Sequence, residues 1–86
     1  MLYHKKFLKQ LAKLPEPIRL KIEVFVFNEL IEITSLASVG KIEKMSGYND
    51  YYKMRFGDYR LGFKLENETL IIQVVMHRKE IYKFFP

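Results

Sequence analysis

The sequence predicts a chain of mixed α and β structure, with helix in its first half and antiparallel strands in its second. Three observations carry this. An apolar stripe at helical spacing runs through Lys5 to Leu14, where Phe7, Leu8, Leu11 and Leu14 share one face and Lys5, Lys6, Lys9 and Lys13 lie elsewhere. Two runs of period-two alternation flank Gly57-Asp58. A further run rich in β-branched residues, T-L-I-I-Q-V-V-M at Thr69 to Met76, follows the polar stretch Glu66-Asn67-Glu68.

Taken in order, Met1 to Tyr3 is too short for pattern to decide. Pro15-Glu16-Pro17 ends the first helix, and Pro17 suits the first turn of another because its missing N–H costs nothing there. Ile18 to Leu30 is ambiguous. I-R-L-K-I-E-V-F-V-F opens with strand-like alternation, yet Ile18, Ile22, Phe25, Val26, Glu29 and Leu30 also mark a helical face. Ile31 to Ser46 reads as the tail of that segment and a loop, and Gly47-Tyr48-Asn49-Asp50 is turn chemistry before the first long strand.

Gly57-Asp58 fits a two-residue type II′ hairpin turn. That register sets Phe56 opposite Tyr59, Arg55 opposite Arg60, Met54 opposite Leu61 and Lys53 opposite Gly62. One face then collects Tyr52, Met54, Phe56, Tyr59, Leu61 and Phe63 as core. The other collects Lys53, Arg55, Arg60 and Lys64, with no carboxylate. With Asn67-Glu68 as the next turn, Leu70, Ile72, Val74 and Met76 join the core face. Ile71, Gln73, Val75 and His77 join the basic face, Val75 opposite Arg60 and His77 opposite Asp58.

The 86 residues are read as one domain spanning 1–86, with a net charge of +5 that favours a polyanionic or acidic partner. There is no cysteine, so the fold does not depend on an oxidising compartment and thiolate zinc sites are excluded. No signal-peptide pattern is visible, and no run approaches the roughly 20 apolar residues of a membrane span. A cytoplasmic protein with no membrane partner is expected. Phosphate-cradling glycine loops, H-E-x-x-H and EF-hand patterns are absent, as is a serine in a nucleophile elbow. No metal or cofactor is expected.

The uniform sign of the basic face is unfavourable for stability, since like charges directly opposite across a ladder cost up to roughly 1 kcal/mol per pair. It points to an anion site, most simply for phosphate, and Gly62 opposite Lys53 would let a ligand approach the backbone. Lys53, Arg55, Arg60 and Arg78, with His77, Tyr82 and Glu43 at the margin, suit RNA cleavage without metal. The substrate's own 2′-OH is the nucleophile, and the protein supplies a base, an acid and charge stabilisation. Arginine grips phosphate bidentately and stays charged. Tyr82 could hand over protons, stack on a base, or pack the C-terminal segment with Phe84 and Phe85. Glu43 reads as a surface carboxylate balancing Lys41 and Lys44.

At these residues the chain resembles the RelE/ParE toxin superfamily of bacterial type II toxin–antitoxin systems, nearer its RelE-type ribonucleases. The matching stretches are F-L-K-Q-L-A-K-L-P at Phe7 to Pro15, Y-K-M-R-F-G-D-Y-R-L at Tyr52 to Leu61, and V-M-H-R-K-E-I-Y at Val75 to Tyr82. The resemblance implies an α+β, RelE-like fold: a short N-terminal strand, two helices, then a three-strand antiparallel meander packed on them. Ile18 to Leu30 then becomes helix. It implies ribosome-dependent cleavage of mRNA and a cognate acidic antitoxin that wraps the basic face. Lys53, Arg55, Arg60, Arg78 and Tyr82 match positions where RelE-type members bind phosphate or handle protons, and His77 stands where some members carry Lys. The candidate catalytic set is therefore Lys53, Arg55, Arg60, His77, Arg78 and Tyr82, and the candidate RNA-binding set is Lys53, Arg55, Arg60, Lys64 and Arg78. Glu43 matches only the position of a catalytic glutamate in one subgroup, at a different spacing. ParE-type members share the fold, lack this set and inhibit DNA gyrase. That activity, or a non-catalytic module binding nucleic acid or antitoxin, is the alternative.

Overall fold

Leu2–Tyr3 forms strand β1, and His4 then caps helix α1 (Lys5–Ala12), its Nδ1 accepting a hydrogen bond from the Lys6 amide at 3.2 Å. Phe7 and Leu11, one turn apart, are the buried positions of α1. Pro15 to Pro17 turns the chain into α2 (Ile18–Val24), which continues as a π-helical turn at Phe25–Glu29. The helical alternative for this segment is the one that forms. Strands β2 (Ile42–Lys44), β3 (Tyr51–Phe56), β4 (Tyr59–Glu66) and β5 (Thr69–His77) follow, and helix α3 (Arg78–Phe84) closes the chain. These elements come from a computed structural model that describes residues 2–29 and 42–86. The expected end of the second helix at Leu30 and the loop from Ile31 to Lys41 lie outside the described residues.

The strands make one five-stranded sheet in the order β1-β5-β4-β3-β2. β1 runs parallel to β5, and the other neighbours are antiparallel. The expected short strand, two helices and three-strand meander are all present, with two additions. Ile42–Lys44, expected as loop, adds an edge strand to β3, and the residues after His77 form α3 rather than an unassigned tail. Among the described residues, no helix is long and apolar enough to cross a membrane.

The first hairpin has the expected register, Lys53 to Phe56 facing Gly62 to Tyr59. Gly57 takes a positive φ of 58° and Asp58 does not, as a type II′ turn requires. Asn67 and Glu68 both take positive φ (48° and 65°), which gives the second hairpin a type I′ turn.

The second register departs from strict alternation. Phe63 pairs with Ile72 but Gly62 pairs with Val74, so Gln73 is an extra residue, a β-bulge. Beyond it every side chain of β5 changes face. Arg60 therefore sits opposite Met76 instead of Val75, and His77 opposite Tyr59 instead of Asp58. Val75 turns into the core, while Val74 and Met76 leave it. The Val75 amide, past the end of β1, donates to Gln10 Oε1 of α1 at 2.9 Å.

Two apolar clusters result, one on each face of the sheet. Phe7, Leu11, Ile22, Phe25 and Val26 from the helices cover Met54, Leu61, Phe63, Ile72 and Val75. On the opposite face Ile81 and Phe85 cover Met45, Val74 and Met76. Gly62 is the seat of that second cluster. A Cβ there would lie 2.8 Å from the Phe85 ring and from Val74 Cγ2. The space expected to admit a ligand is filled by the protein's own C-terminal segment. Gly62→Ala should lower unfolding free energy by about 1–3 kcal/mol, the usual range for overpacking, in urea denaturation followed by far-UV circular dichroism. An unchanged midpoint would mean that Phe85 is not seated there.

Candidate nucleic-acid interface

The cations of β3 and β4 do not lie on an open sheet. α3 covers the middle of their face, and they form a border around it. Lys53 and Arg55 project beside the helix, and Glu43 of β2, directly opposite Lys53 in the ladder, projects between them. One Glu43 oxygen is 3.3 Å from Arg55 Nε and the other is 3.9 Å from Lys53 Nζ. The Lys53 ammonium also donates to the Tyr82 hydroxyl oxygen and sits 4.4 Å from the Tyr82 ring centroid. Tyr82 belongs to the outer face of α3, one turn beyond Arg78, and its side chain is 61% exposed. Its packing role falls to Phe85, which is buried in contact with Tyr51.

Arg60 is the buried member, 9% exposed. Its Nη1 donates to the carbonyls of Gly57 (2.8 Å) and Tyr59 (2.9 Å), which anchors the guanidinium against the β3–β4 turn. Among the described residues no carboxylate lies within 4 Å of it. Arg78, at the start of α3, is held over the same turn. Its amide donates to the Asp58 carbonyl at 2.7 Å, and its Nε is 3.8 Å from the Asp58 carboxylate. The like-charge problem of Arg55 opposite Arg60 is thereby relieved locally, Arg55 turning to Glu43 and Arg60 to backbone carbonyls.

Two expected members stand apart. Lys64 pairs with Glu66 at 3.4 Å and lies 5.3 Å from the Tyr51 ring centroid. The hydrogen bond and negative charge of Glu66 hold its ammonium above the usual lysine range. His77 caps α3, its Nδ1 accepting from the Lys79 amide at 3.1 Å, and its ring lies edge-on to Tyr59. It lines a cavity of about 440 Å³ between α1 and the ends of β4, β5 and α3, away from the Lys53–Tyr82 pair. Glu43, expected to balance Lys44 and Lys41, instead bridges Lys53 and Arg55. Lys41 lies outside the described residues.

Residues 1–82 match the family described as the ParE toxin of type II toxin–antitoxin systems. The chain belongs to that family. It is 38% identical over 87 residues to toxin RelE3 of Methanocaldococcus jannaschii, a match that covers all of this chain and 98% of the relative. The fold is similar to that in a RelB–RelE antitoxin–toxin complex from Methanococcus jannaschii, at 34% identity and a TM-score of 0.81 over the full length of both chains. It is also similar to the RelBE2 toxin–antitoxin complex from Mycobacterium tuberculosis, at 25% identity and a TM-score of 0.66, covering 88% of this chain and 93% of that one.

In this ParE/RelE-type chain, sequence reasoning set Glu43 at the margin of the patch but missed the strand pairing that joins it to Lys53 and Arg55, and missed Asp58 as the partner of Arg78. Ile42-Glu43-Lys44 alternates, which is the one local signal that it could pair with β3. The helix carrying Arg78 and Tyr82 was also missed, and its signal is the i, i+4 spacing of Ile81 and Phe85 after a residue able to cap. His77→Ala should cost about 1 kcal/mol of stability through the lost cap, with His77→Asn recovering most of it. Paired thermal melts would show this, and an unperturbed His77→Ala melt would remove the capping role.

Proposed function

We propose that this chain is the toxin of a type II toxin–antitoxin pair and that it acts as an endoribonuclease on mRNA in the ribosome, with an acidic antitoxin as its cognate partner. The observation that carries this is the pairing of Lys53 with Tyr82 on the sheet face that also carries Arg60, a buried cation with no carboxylate within 4 Å of it among the described residues. RelB–RelE complexes among the structural relatives support the antitoxin partner.

The chemistry follows from the substrate. The 2′-OH of RNA attacks the adjacent phosphorus as it loses its proton, the bond to the 5′ oxygen breaks, and that oxygen takes up a proton. A 2′,3′-cyclic phosphate and a 5′-OH are the products. Because the Lys53 ammonium donates to the Tyr82 oxygen, the phenolic proton of Tyr82 is left to point at the substrate. Tyr82 is therefore the donor that protonates the leaving 5′ oxygen, and the proton of the 2′-OH passes to water. Arg55 beside Glu43, and Arg60 and Arg78 at the β3–β4 turn, supply the positive charge that neutralises what builds on the phosphorane. Exposure of Tyr82 also leaves its ring free for a base. His77 serves this site through α3, which it caps.

Primer extension on mRNA after brief induction in bacteria tests the reading. Discrete cuts are expected with the wild-type chain. Tyr82→Phe should reduce them by about 10²-fold or more, the usual scale for a positioned proton-transfer group, without a change in melting temperature. Arg60→Ala should abolish cutting and also lower stability, since two turn carbonyls lose their donor. A Tyr82→Phe variant that cuts as well as wild type would overturn the assignment. The ParE family match supports a second reading, inhibition of DNA gyrase, for which growth arrest with uncut mRNA would be the sign.

A further inference from the structure

The cations of the interface fall into two halves that differ in what they hold. Arg60 is anchored by uncharged carbonyls, so its positive charge is unopposed by any carboxylate within 4 Å among the described residues. Lys53 and Arg55 share the Glu43 carboxylate, one oxygen toward each. A carboxylate bridging two cations has the same two-oxygen, one-charge form as the non-bridging edge of a phosphodiester. The ladder fixes Glu43 directly opposite Lys53, and the Lys53 side chain is only 14% exposed. Glu43 and a phosphate would therefore compete for the same two cations.

We propose that Glu43 is a specificity-determining residue that competes with phosphate. It occupies the Lys53–Arg55 half of the interface and yields only when an RNA phosphate displaces it. The consequence is weaker binding to arbitrary polyanions than the basic face alone would give. This rests on the phosphate-binding part of the function proposed above.

The test is binding of a single-stranded 2′-O-methyl RNA oligonucleotide, which lacks the nucleophile, and of inorganic pyrophosphate. Glu43→Gln is compared with Glu16→Gln, which makes the same charge change beside Arg19, where Glu16 pairs with none of the interface cations. Circular dichroism checks that both variants are folded. Glu43→Gln should bind both probes about threefold or more tightly at low salt, a scale set by exposed ion pairs. Its log K against log salt should steepen by about 0.7 for RNA, one more phosphate contact. Affinity equal to Glu16→Gln, or weaker than wild type, would overturn the proposal. Tighter pyrophosphate binding by Glu43→Gln with uncut mRNA in cells would uphold it and remove the ribonuclease reading. Failure of wild type and Glu43→Gln to bind either probe would remove it whatever the cleavage result.

Discussion

The cationic end of this protein depends on one unpaired residue in β5. Gln73 has no partner on β4, and the bulge it makes exchanges the two faces for the rest of the strand. Val75 moves inward against the helices, where its amide is satisfied by Gln10. Val74 and Met76 move to the other face and, with Met45, form the apolar floor on which Ile81 and Phe85 rest. Without that floor α3 would have nothing to bury, and a seven-residue helix has little stability of its own. Tyr82 reaches Lys53 because α3 is held there.

The second cluster is small, and it uses space economically. Phe85 lies over Gly62, where a side chain would collide with it, and its ring meets Tyr51 edge-on with centroids 5.5 Å apart. Full burial of an aromatic of this size is worth about 1.5–3 kcal/mol. That is a large share of the few kcal/mol by which small domains exceed their unfolded state. Positioning of the site and stability of the C-terminal segment are therefore the same interaction.

Electrostatics act on this frame in a divided way. Cations on one sheet face repel, and each finds its own local partner: Arg55 and Lys53 at Glu43, Arg78 at Asp58, Lys64 at Glu66, Arg60 at two backbone carbonyls. Exposed pairs of this kind add little to folding. Their effect is to hold long side chains in place, and to leave the buried Arg60 without a carboxylate within 4 Å among the described residues.

Much of this was decided by the chain itself. The apolar stripe of Lys5 to Leu14, the turns at Gly57-Asp58 and Asn67-Glu68, and the pairing of Lys53 to Phe56 with Gly62 to Tyr59 follow from local periodicity and turn chemistry, which depend on near neighbours. The motifs around Arg60 and Arg78 likewise carry the resemblance to the toxin family to which the chain belongs. What tertiary structure decided are the contacts that alternation cannot count: the bulge at Gln73, the edge strand that brings Glu43 to Lys53, and the docking of Phe85 over Gly62. Each joins residues 9 or more positions apart through packing, and a bulge shifts every later residue by one face while leaving the sequence pattern unchanged.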